Sequence, residues 1–321
     1  MNHRILVLTL IMTSSIAFSQ DQENETPKPG FKASMIYSML KTGNLNAKIF
    51  DRLVRKPDRG SDAISPDKFK RKLTVDERRV DGFRVITVRG PEATKNHIIL
   101  LHGGAYVAEA IKGHRKLMEK LAMEHHFTVS LIDYPLAPEY NADECLAVVE
   151  HAFIMLTDSC RNDLFYLVGD SAGGGLALAL LQILRDKHPT LLPKRNVLLS
   201  PWLDISMSNP EIENYIEKDV LMDVEGLKEC GRIYADNKDV KDPMVSPIYG
   251  SLEQLGQMKV FISTHELFYP DCKKLKELAA NTEGTDVMLT EKYKMVHDWV
   301  ILPIKERDET IREVAGFLLH F

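Results

Sequence analysis

Several features that would place this chain in a special class are scarce or missing. The 321 residues include four cysteines without any C-x-x-C pair, which argues against a zinc framework. With 18 glycines, 15 prolines and no fixed-period repeat, the chain is not collagen-like, coiled-coil or low-complexity. The 41 Lys and Arg against 46 Asp and Glu leave a net charge of −5, so we expect no basic face for nucleic acid.

Long apolar runs are also missing once the first residues are passed. No later segment approaches the roughly 18 consecutive apolar residues that a membrane helix needs. At the start, the basic Arg4 is followed by the apolar run Ile5–Met12 and by small residues at Ala17 and Ser19. This pattern predicts a signal peptide over 1–19, cleaved near Ser19, and therefore an exported chain without a stable membrane span.

The remaining composition is that of an ordinary globular protein. Hydrophobic side chains make up 44% of the chain and charged ones 27%, and this length buries a large core without disulfide or metal staples. We therefore expect the scattered cysteines to be free, buried thiols, although export would permit disulfides. These cysteines are Cys145, Cys160, Cys230 and Cys272. The sequence predicts no metal site and no particular oligomeric state.

Apolar strand-like runs alternate with helical patterns from residue 82 onward, which predicts a mostly parallel sheet with helices on both faces. Before it come a linker at 20–31 and one helix around 36–40, and residues 206–246 form a mixed, mostly helical insertion. The strand-like runs are 82–89 (expected to be antiparallel), 97–101, 127–133, 164–168, 196–199, 259–263 and 287–289. The clearest helical patterns are 112–126, 142–156 and 174–188.

A candidate nucleophile stands between a strand and a helix. The predicted strand 164–168 leads into Gly169-Asp170-Ser171-Ala172-Gly173 and then into an Ala- and Leu-rich helix, which is the G-x-S-x-G pattern in its strand–turn–helix setting. A sharp turn there lifts the hydroxyl of Ser171 above the sheet, with glycines where a Cβ would clash. Neither phosphate-loop pattern, G-x-G-x-x-G nor G-x-x-x-x-G-K-[ST], matches this segment.

Paired glycines at the end of an earlier strand suggest an oxyanion hole. The segment His102-Gly103-Gly104-Ala105-Tyr106 follows the predicted strand 97–101. We expect the N–H groups of Gly103 and Gly104 to stabilise a substrate oxyanion together with the N–H of Ala172 at the helix start. A tight strand–helix turn without a catalytic role is the alternative, and His102 is expected to shape this turn.

A base and an acid are expected after the last strands. His297 follows the predicted strand 287–289, in a loop from which an imidazole can reach Ser171. Glu266 follows the strand 259–263 and is the candidate that holds the imidazole in the required tautomer. Asp271 and Asp204 are the alternative acids, in which case Glu266 is a solvated loop residue.

With these residues in place, the chain resembles the hormone-sensitive-lipase-like branch of the α/β-hydrolase esterases over roughly residues 96–303. The likeness rests on several motifs in their usual order, ending with the His297 loop. These motifs are HGGAY (102–106), DYPLAPEY (133–140), GDSAGG (169–174), SPWLD (200–204) and DPMVSP (242–247). One departure is that His265 occupies the family's usual aspartate position, which leaves Glu266 as the acid.

The resemblance implies an α/β-hydrolase catalytic domain over 81–321, with a cap built from the N-terminal segment (20–80) and the insertion at about 206–246. It also implies a serine carboxylesterase that acts on short or medium acyl esters, has a small-molecule substrate and needs no cofactor. Two alternatives stay open. One is a serine peptidase or amidase on the same fold, and the other is a non-catalytic, ligand-binding relative.

Overall fold

A mixed eight-stranded sheet forms the centre of the protein, with strand order β1-β2-β4-β3-β5-β6-β7-β8. The computed structural model describes residues 28–43, Arg55 and 62–320. Strands β1 and β2 are antiparallel to their neighbours, and the pairs from β4 to β8 are parallel. The strands are β1 Thr74–Val80, β2 Phe83–Arg89, β3 Asn96–Leu101, β4 Thr128–Ile132, β5 Leu164–Asp170, β6 Asn196–Leu199, β7 Gly256–Ser263 and β8 Thr285–Lys292.

Helices cover both faces of this sheet. The α-helices are α1 Phe31–Gly43, α2 Lys112–Glu124, α3 Ala142–Ser159, α4 Ala172–Lys187, α5 Val224–Ala235, α6 Tyr269–Ala279 and α7 Lys305–Leu319. Short 3-10 helices span Pro66–Lys68, Pro189–Leu191, Pro210–Tyr215, Pro247–Tyr249 and Trp299–Ile301. The architecture confirms the predicted α/β class, with a mostly parallel sheet between two helical layers.

Burial on both faces explains why the central strands are almost continuously apolar. One core joins the sheet to α3, α4, α5 and α6, through side chains such as Phe153, Leu180 and Leu275. The other core joins the opposite face to α2 and α7, through side chains such as Leu121 and Val314. A parallel strand packed on both sides gains from apolar residues at every position, so these strands were easily recognised in the sequence.

The first strand was not expected. Strand β1 carries the mostly exposed sequence TVDERRV and pairs in register with β2, from Thr74 opposite Arg89 to Val80 opposite Phe83. Asp81 and Gly82 connect the two strands with φ angles of 51° and 91°, as a tight hairpin requires. The sheet therefore begins at residue 74, inside the segment that the sequence assigned to the linker and N-terminal cap.

The two expected cap segments contact each other beside the sheet. The hydroxyl of Tyr37 in α1 donates to the carbonyl of Lys218 at 2.6 Å. Tyr37 also forms a small apolar cluster with Val220 and Val296. None of the described helices is both long and apolar enough to cross a membrane. The predicted signal peptide lies outside the described residues.

All four cysteines are free thiols, but the expected burial is wrong for Cys160. Cys145, Cys230 and Cys272 are buried, whereas Cys160 at the end of α3 is half-buried. Stability therefore rests on the two cores rather than on covalent links.

The buried face of α4 gives a direct test of this dependence. Leu180 is 0% exposed in the larger core, so Leu180→Ala should lower the free energy of unfolding by about 2–5 kcal/mol through lost packing and a cavity. Leu278→Ala on α6, where the side chain is 40% exposed, should cost less than about 1 kcal/mol. Urea unfolding followed by circular dichroism measures both, and equal losses would contradict the assignment of the core.

Candidate active site

Ser171 stands in a strained turn between the end of β5 and the start of α4. Its φ of 51° and ψ of −119° are unusual for a residue with a side chain, and such strain is characteristic of functional positions. The turn needs glycine at position 173, where a Cβ would lie 2.2 Å from the carbonyl oxygen of Leu101. Trp202 N–H donates to the Ser171 carbonyl at 2.9 Å and helps to hold the turn.

The structure brings Ser171, His297 and Glu266 into one hydrogen-bonded chain. The Oγ atom of Ser171 lies 2.9 Å from Nε2 of His297, and Nδ1 of His297 lies 2.5 Å from Oε2 of Glu266. The three residues follow β5, β8 and β7, whose carboxyl ends meet at the same edge of the sheet. All three are buried, with Glu266 at 0% exposure. This is the geometry of a nucleophile, a general base and an orienting acid.

Glu266 is held in place through its second oxygen. Oε1 accepts hydrogen bonds from the hydroxyl of Ser200 at 2.8 Å and from the N–H of Ser263 at 2.9 Å. These bonds direct Oε2 towards His297. The neighbouring His265 instead packs edge-on against the rings of Tyr37 and Tyr293.

The two alternative acids serve other parts of the structure. Asp271 is buried and accepts a hydrogen bond from the side-chain amide of Asn209 at 2.8 Å. Asp204 organises its own loop by accepting bonds from Ser206 and from the hydroxyl of Tyr249. Of the three acids considered from the sequence, Glu266 is the one that contacts His297.

One predicted donor of the oxyanion hole is occupied by another acceptor. The N–H of Gly103 donates to Oδ2 of Asp170 at 2.9 Å, so the expectation for Gly103 is wrong. Gly104 and Ala105 line the cavity beside Ser171. Ala172 is the first residue of α4, where N–H groups have no partner within the helix. Among the described residues, this leaves Gly104, Ala105 and Ala172 as candidate N–H donors to a substrate oxygen.

A buried histidine of α2, His114, holds this glycine turn in place through their shared partner Asp170. Nδ1 of His114 accepts the N–H of Ile111 at 2.8 Å, so its other nitrogen, Nε2, carries the proton and donates to Oδ2 of Asp170 at 3.0 Å. His102 shapes the same turn, as expected, by donating from Nδ1 to the Gly103 carbonyl at 2.8 Å. The sequence places Asp170 in the G-x-S-x-G motif, but it gives no sign of the partner on α2.

A second carboxylate reaches His297 and was not foreseen. Oδ2 of Asp298 lies 3.2 Å from Nε2 of His297, the nitrogen that also faces Ser171. Burial by itself would lower the pKa of His297, but the charges of Asp298 and Glu266 raise this pKa well above 6.5. The only sequence signal was adjacency to the expected base, which does not show where a side chain points.

Ser171 and His297 line a mainly apolar cavity of about 280 Å³. Its polar lining includes Ser171, His297 and Asp298, together with Glu109, His114 and Asp170. Its apolar wall comes from the segment 206–246 and from the His297 loop, as Leu221, Met222, Leu227, Ile301 and Leu302. Such a cavity suits an uncharged acyl or alcohol group placed against the serine.

Among the described residues, one group of potential metal ligands lies within 4.8 Å of one another: His97, Cys160 and Asp163. His97 and Asp163 stand at the amino ends of β3 and β5, away from Ser171 at the carboxyl end of β5. This group therefore takes no part in the site around Ser171.

Comparison with known proteins agrees with the geometry. A family model described as the alpha/beta hydrolase fold matches residues 98–301. The chain belongs to the α/β-hydrolase family. An "Esterase" of Acinetobacter venetianus is 30% identical over 74% of this α/β-hydrolase and 80% of the relative. An "Acetyl-hydrolase" of Streptomyces hygroscopicus is 31% identical over 69% of this chain and 74% of the relative.

A solved structure narrows the placement within the family. The crystal structure of a hormone-sensitive lipase from a metagenome library superposes with a TM-score of 0.75 at 25% identity, over 89% of this chain and 97% of that one. This α/β-hydrolase is therefore a member of the hormone-sensitive-lipase-like esterase branch, which confirms the resemblance seen in the sequence.

The contact of Glu266 with His297 predicts that the replacement of two buried acids will have very different effects on kcat. Glu266→Gln removes the charge that stabilises an imidazolium, so kcat for p-nitrophenyl acetate should fall by about two to four orders of magnitude. Asp271→Asn changes a buried acid that does not contact His297. It should leave kcat within about threefold of the wild type, because among the described residues the Asp271 carboxylate accepts its hydrogen bond from Asn209. A large loss in Asp271→Asn with a small loss in Glu266→Gln would reverse the assignment.

Proposed function

We propose that this esterase hydrolyses short- to medium-chain acyl esters through an acyl-enzyme on Ser171. The observation that supports this most directly is the continuous contact from Ser171 through His297 to Glu266 at the end of an apolar cavity. The relatives named esterase and acetyl-hydrolase favour the same reaction class and a small acyl group.

Acylation begins with proton transfer from Ser171 to Nε2 of His297 as Oγ attacks the ester carbonyl carbon. Negative charge then develops on the carbonyl oxygen, beside the N–H groups of Gly104, Ala105 and Ala172. Loss of one such donor typically costs about 3 kcal/mol of transition-state stabilisation. When the tetrahedral intermediate collapses, His297 gives its proton to the leaving alcohol, and the acyl group stays on Ser171.

Deacylation repeats these steps with water in place of the serine. His297 accepts a proton from the water, and the acid is released as Ser171 regains its proton. Glu266 stays ionised throughout, holds Nδ1 of His297 protonated and stabilises the imidazolium formed in each half-reaction. No cofactor is required in this sequence of steps.

The cavity walls favour acyl groups of limited length. Leu221, Met222 and Leu227 close one side of the cavity. They come from the segment 206–246, which we propose acts as a cap together with α1, because α1 packs on the same segment. A peptide or amide substrate has no specific feature of the site in its favour, and a non-catalytic role is at odds with the completeness of the hydrogen-bonded chain.

Hydrolysis of p-nitrophenyl esters from C2 to C12 tests this function. The wild type should turn over the shorter members, with rates that fall for the longest chains as the cavity of about 280 Å³ fills. Ser171→Ala and His297→Ala should each reduce kcat by about three orders of magnitude or more. Mass spectrometry of the wild type quenched during turnover should show one acyl group on Ser171.

Three results would overturn the esterase proposal. These are an inactive wild type, activity that is indifferent to Ser171→Ala, and a fluorophosphonate probe that fails to label Ser171. Labelling by the probe with turnover of anilides but not of esters would instead establish the amidase alternative.

We also propose that the chain is exported, on the strength of the basic, apolar and small-residue pattern in residues 1–19. When the full chain is expressed in bacteria, the protein recovered outside the cytoplasm should begin near Gln20 by N-terminal sequencing. Deletion of residues 5–12 should keep it in the cytoplasm. A full-length chain that starts at Met1 and stays inside the cell would contradict this proposal.

A further inference from the structure

His297 has a carboxylate at each of its two nitrogens, which is more than an acyl-transfer mechanism needs. Glu266 contacts Nδ1, whereas Asp298 lies 3.2 Å from Nε2, the atom that must accept the proton of Ser171 at 2.9 Å. We propose that Asp298 is a positioning residue that keeps a proton on the His297–Asp298 pair in the resting enzyme and so sets the pH above which the esterase works. This inference rests on the proposed function and adds a regulating residue to it.

The burial of Asp298 supports a shared proton. The residue is 8% exposed, and its Oδ1 atom has no hydrogen-bond partner in the part of the chain that the structure describes. A buried carboxylate with so few partners is costly unless the neighbouring group is charged or the carboxylate is protonated. A neutral His297 with a bare Nε2 would also place two lone pairs against each other across 3.2 Å.

The consequence for Ser171 is the same wherever the proton resides. If the proton is on Nε2, the imidazolium has no lone pair to accept the hydroxyl proton of Ser171. If it is on Oδ2 of Asp298, the carboxyl donates to Nε2 and occupies the same lone pair. One proton must therefore leave this pair before Ser171 can attack an ester.

The backbone that carries Asp298 is held in place by its own hydrogen bond and by the residue that follows. Asp298 adopts the left-handed conformation, with φ 53° and ψ 38°, and its carbonyl accepts the N–H of Ile301 at 3.0 Å. The next residue, Trp299, is 1% exposed and donates from Nε1 to the hydroxyl of Thr310 in α7 at 2.9 Å. Asp and Asn are among the residues that best tolerate this conformation, so Asp298→Asn keeps the backbone while it removes the charge.

Two further buried carboxylates near the His297–Asp298 pair have hydrogen-bond partners of their own. Asp219, from the segment 206–246, accepts N–H groups of Leu221, Met222 and Leu267. Asp170, whose charge acts on Asp298, accepts hydrogen bonds from His114 and from Gly103. Burial raises the pKa of Asp298 to about 6, and the charges of Asp170 and Glu266 act in the same direction against the opposing effect of His297.

Removal of the Asp298 charge should make the base available at lower pH. A charge in direct contact shifts a neighbouring pKa by about 1–3 units, so Asp298→Asn should lower the pKa of His297 by at least about one unit. At pH values below the acid limb of the pH–rate profile, the lower pKa gives roughly tenfold more unprotonated His297, because one pKa unit is a factor of ten in the protonation equilibrium. Above the limb kcat should fall, since the imidazolium of the transition state loses one stabilising charge.

The test is an NMR titration of the His297 imidazole, run beside the pH dependence of kcat/KM for p-nitrophenyl acetate. Asp81→Asn is the matched control, because Asp81 also has a positive φ, of 51°, and also pairs with a histidine, His151, at 2.7 Å, but on the surface. Asp298→Asn should move both the imidazole titration and the acid limb downward by at least about one unit. Asp81→Asn should move neither.

Two outcomes would overturn the inference. One is an imidazole titration and acid limb that are the same in Asp298→Asn and in the wild type. The other needs no variant: a wild-type His297 that titrates at or below 6.5 would show that no proton is retained. Because NMR reports the imidazole without any substrate, a wild type that hydrolyses no ester would refute the proposed function while leaving the role of Asp298 measurable.

Discussion

The close approach of the start of α4 to the end of β3 is the constraint on which the site depends. At Gly173 the backbone lies so near the carbonyl of Leu101 that a Cβ would sit 2.2 Å from it. This contact forces a very sharp turn, and Ser171 accepts a left-handed φ in consequence. The strain is sustained because both flanking elements are buried in the cores, which over-determine the backbone. The serine hydroxyl is thereby presented at the edge of the sheet.

The parallel sheet brings together residues that are distant along the chain. Strands β5, β7 and β8 all end at this edge, so the loops that follow them bring Ser171, Glu266 and His297 within hydrogen-bond distance. The turn after β3 belongs to the same edge and carries Gly104 and Ala105. This is also the edge at which open α/β sheets bind their ligands.

Burial makes the electrostatics of this edge unusually strong. Glu266, Asp298, Asp170 and Asp219 are all nearly inaccessible. Glu266 and Asp298 act directly on the imidazole of His297, Asp219 lies near enough to interact with it, and Asp170 acts on Asp298. In a poorly screened setting these charges favour the protonated base, which aids the imidazolium of the transition state but opposes the free base of the ground state. The segment 206–246 contributes to this setting, because the buried Asp219 belongs to it and its apolar side chains line the cavity.

Local patterns were enough to determine the sheet of buried strands, the serine turn and the identity of its base. A run such as HIILL or the motif around Ser171 carries its structural meaning within a few residues, whatever lies elsewhere in the chain. The exposed strand β1 lacked that pattern, since its charged residues face water and its pairing with β2 defines it. The contact of Gly103 with Asp170, the anchoring by His114 and the direction of the Asp298 carboxylate were decided by the tertiary structure alone. Such contacts depend on where distant backbones pass one another, and no local pattern in the sequence encodes that distance.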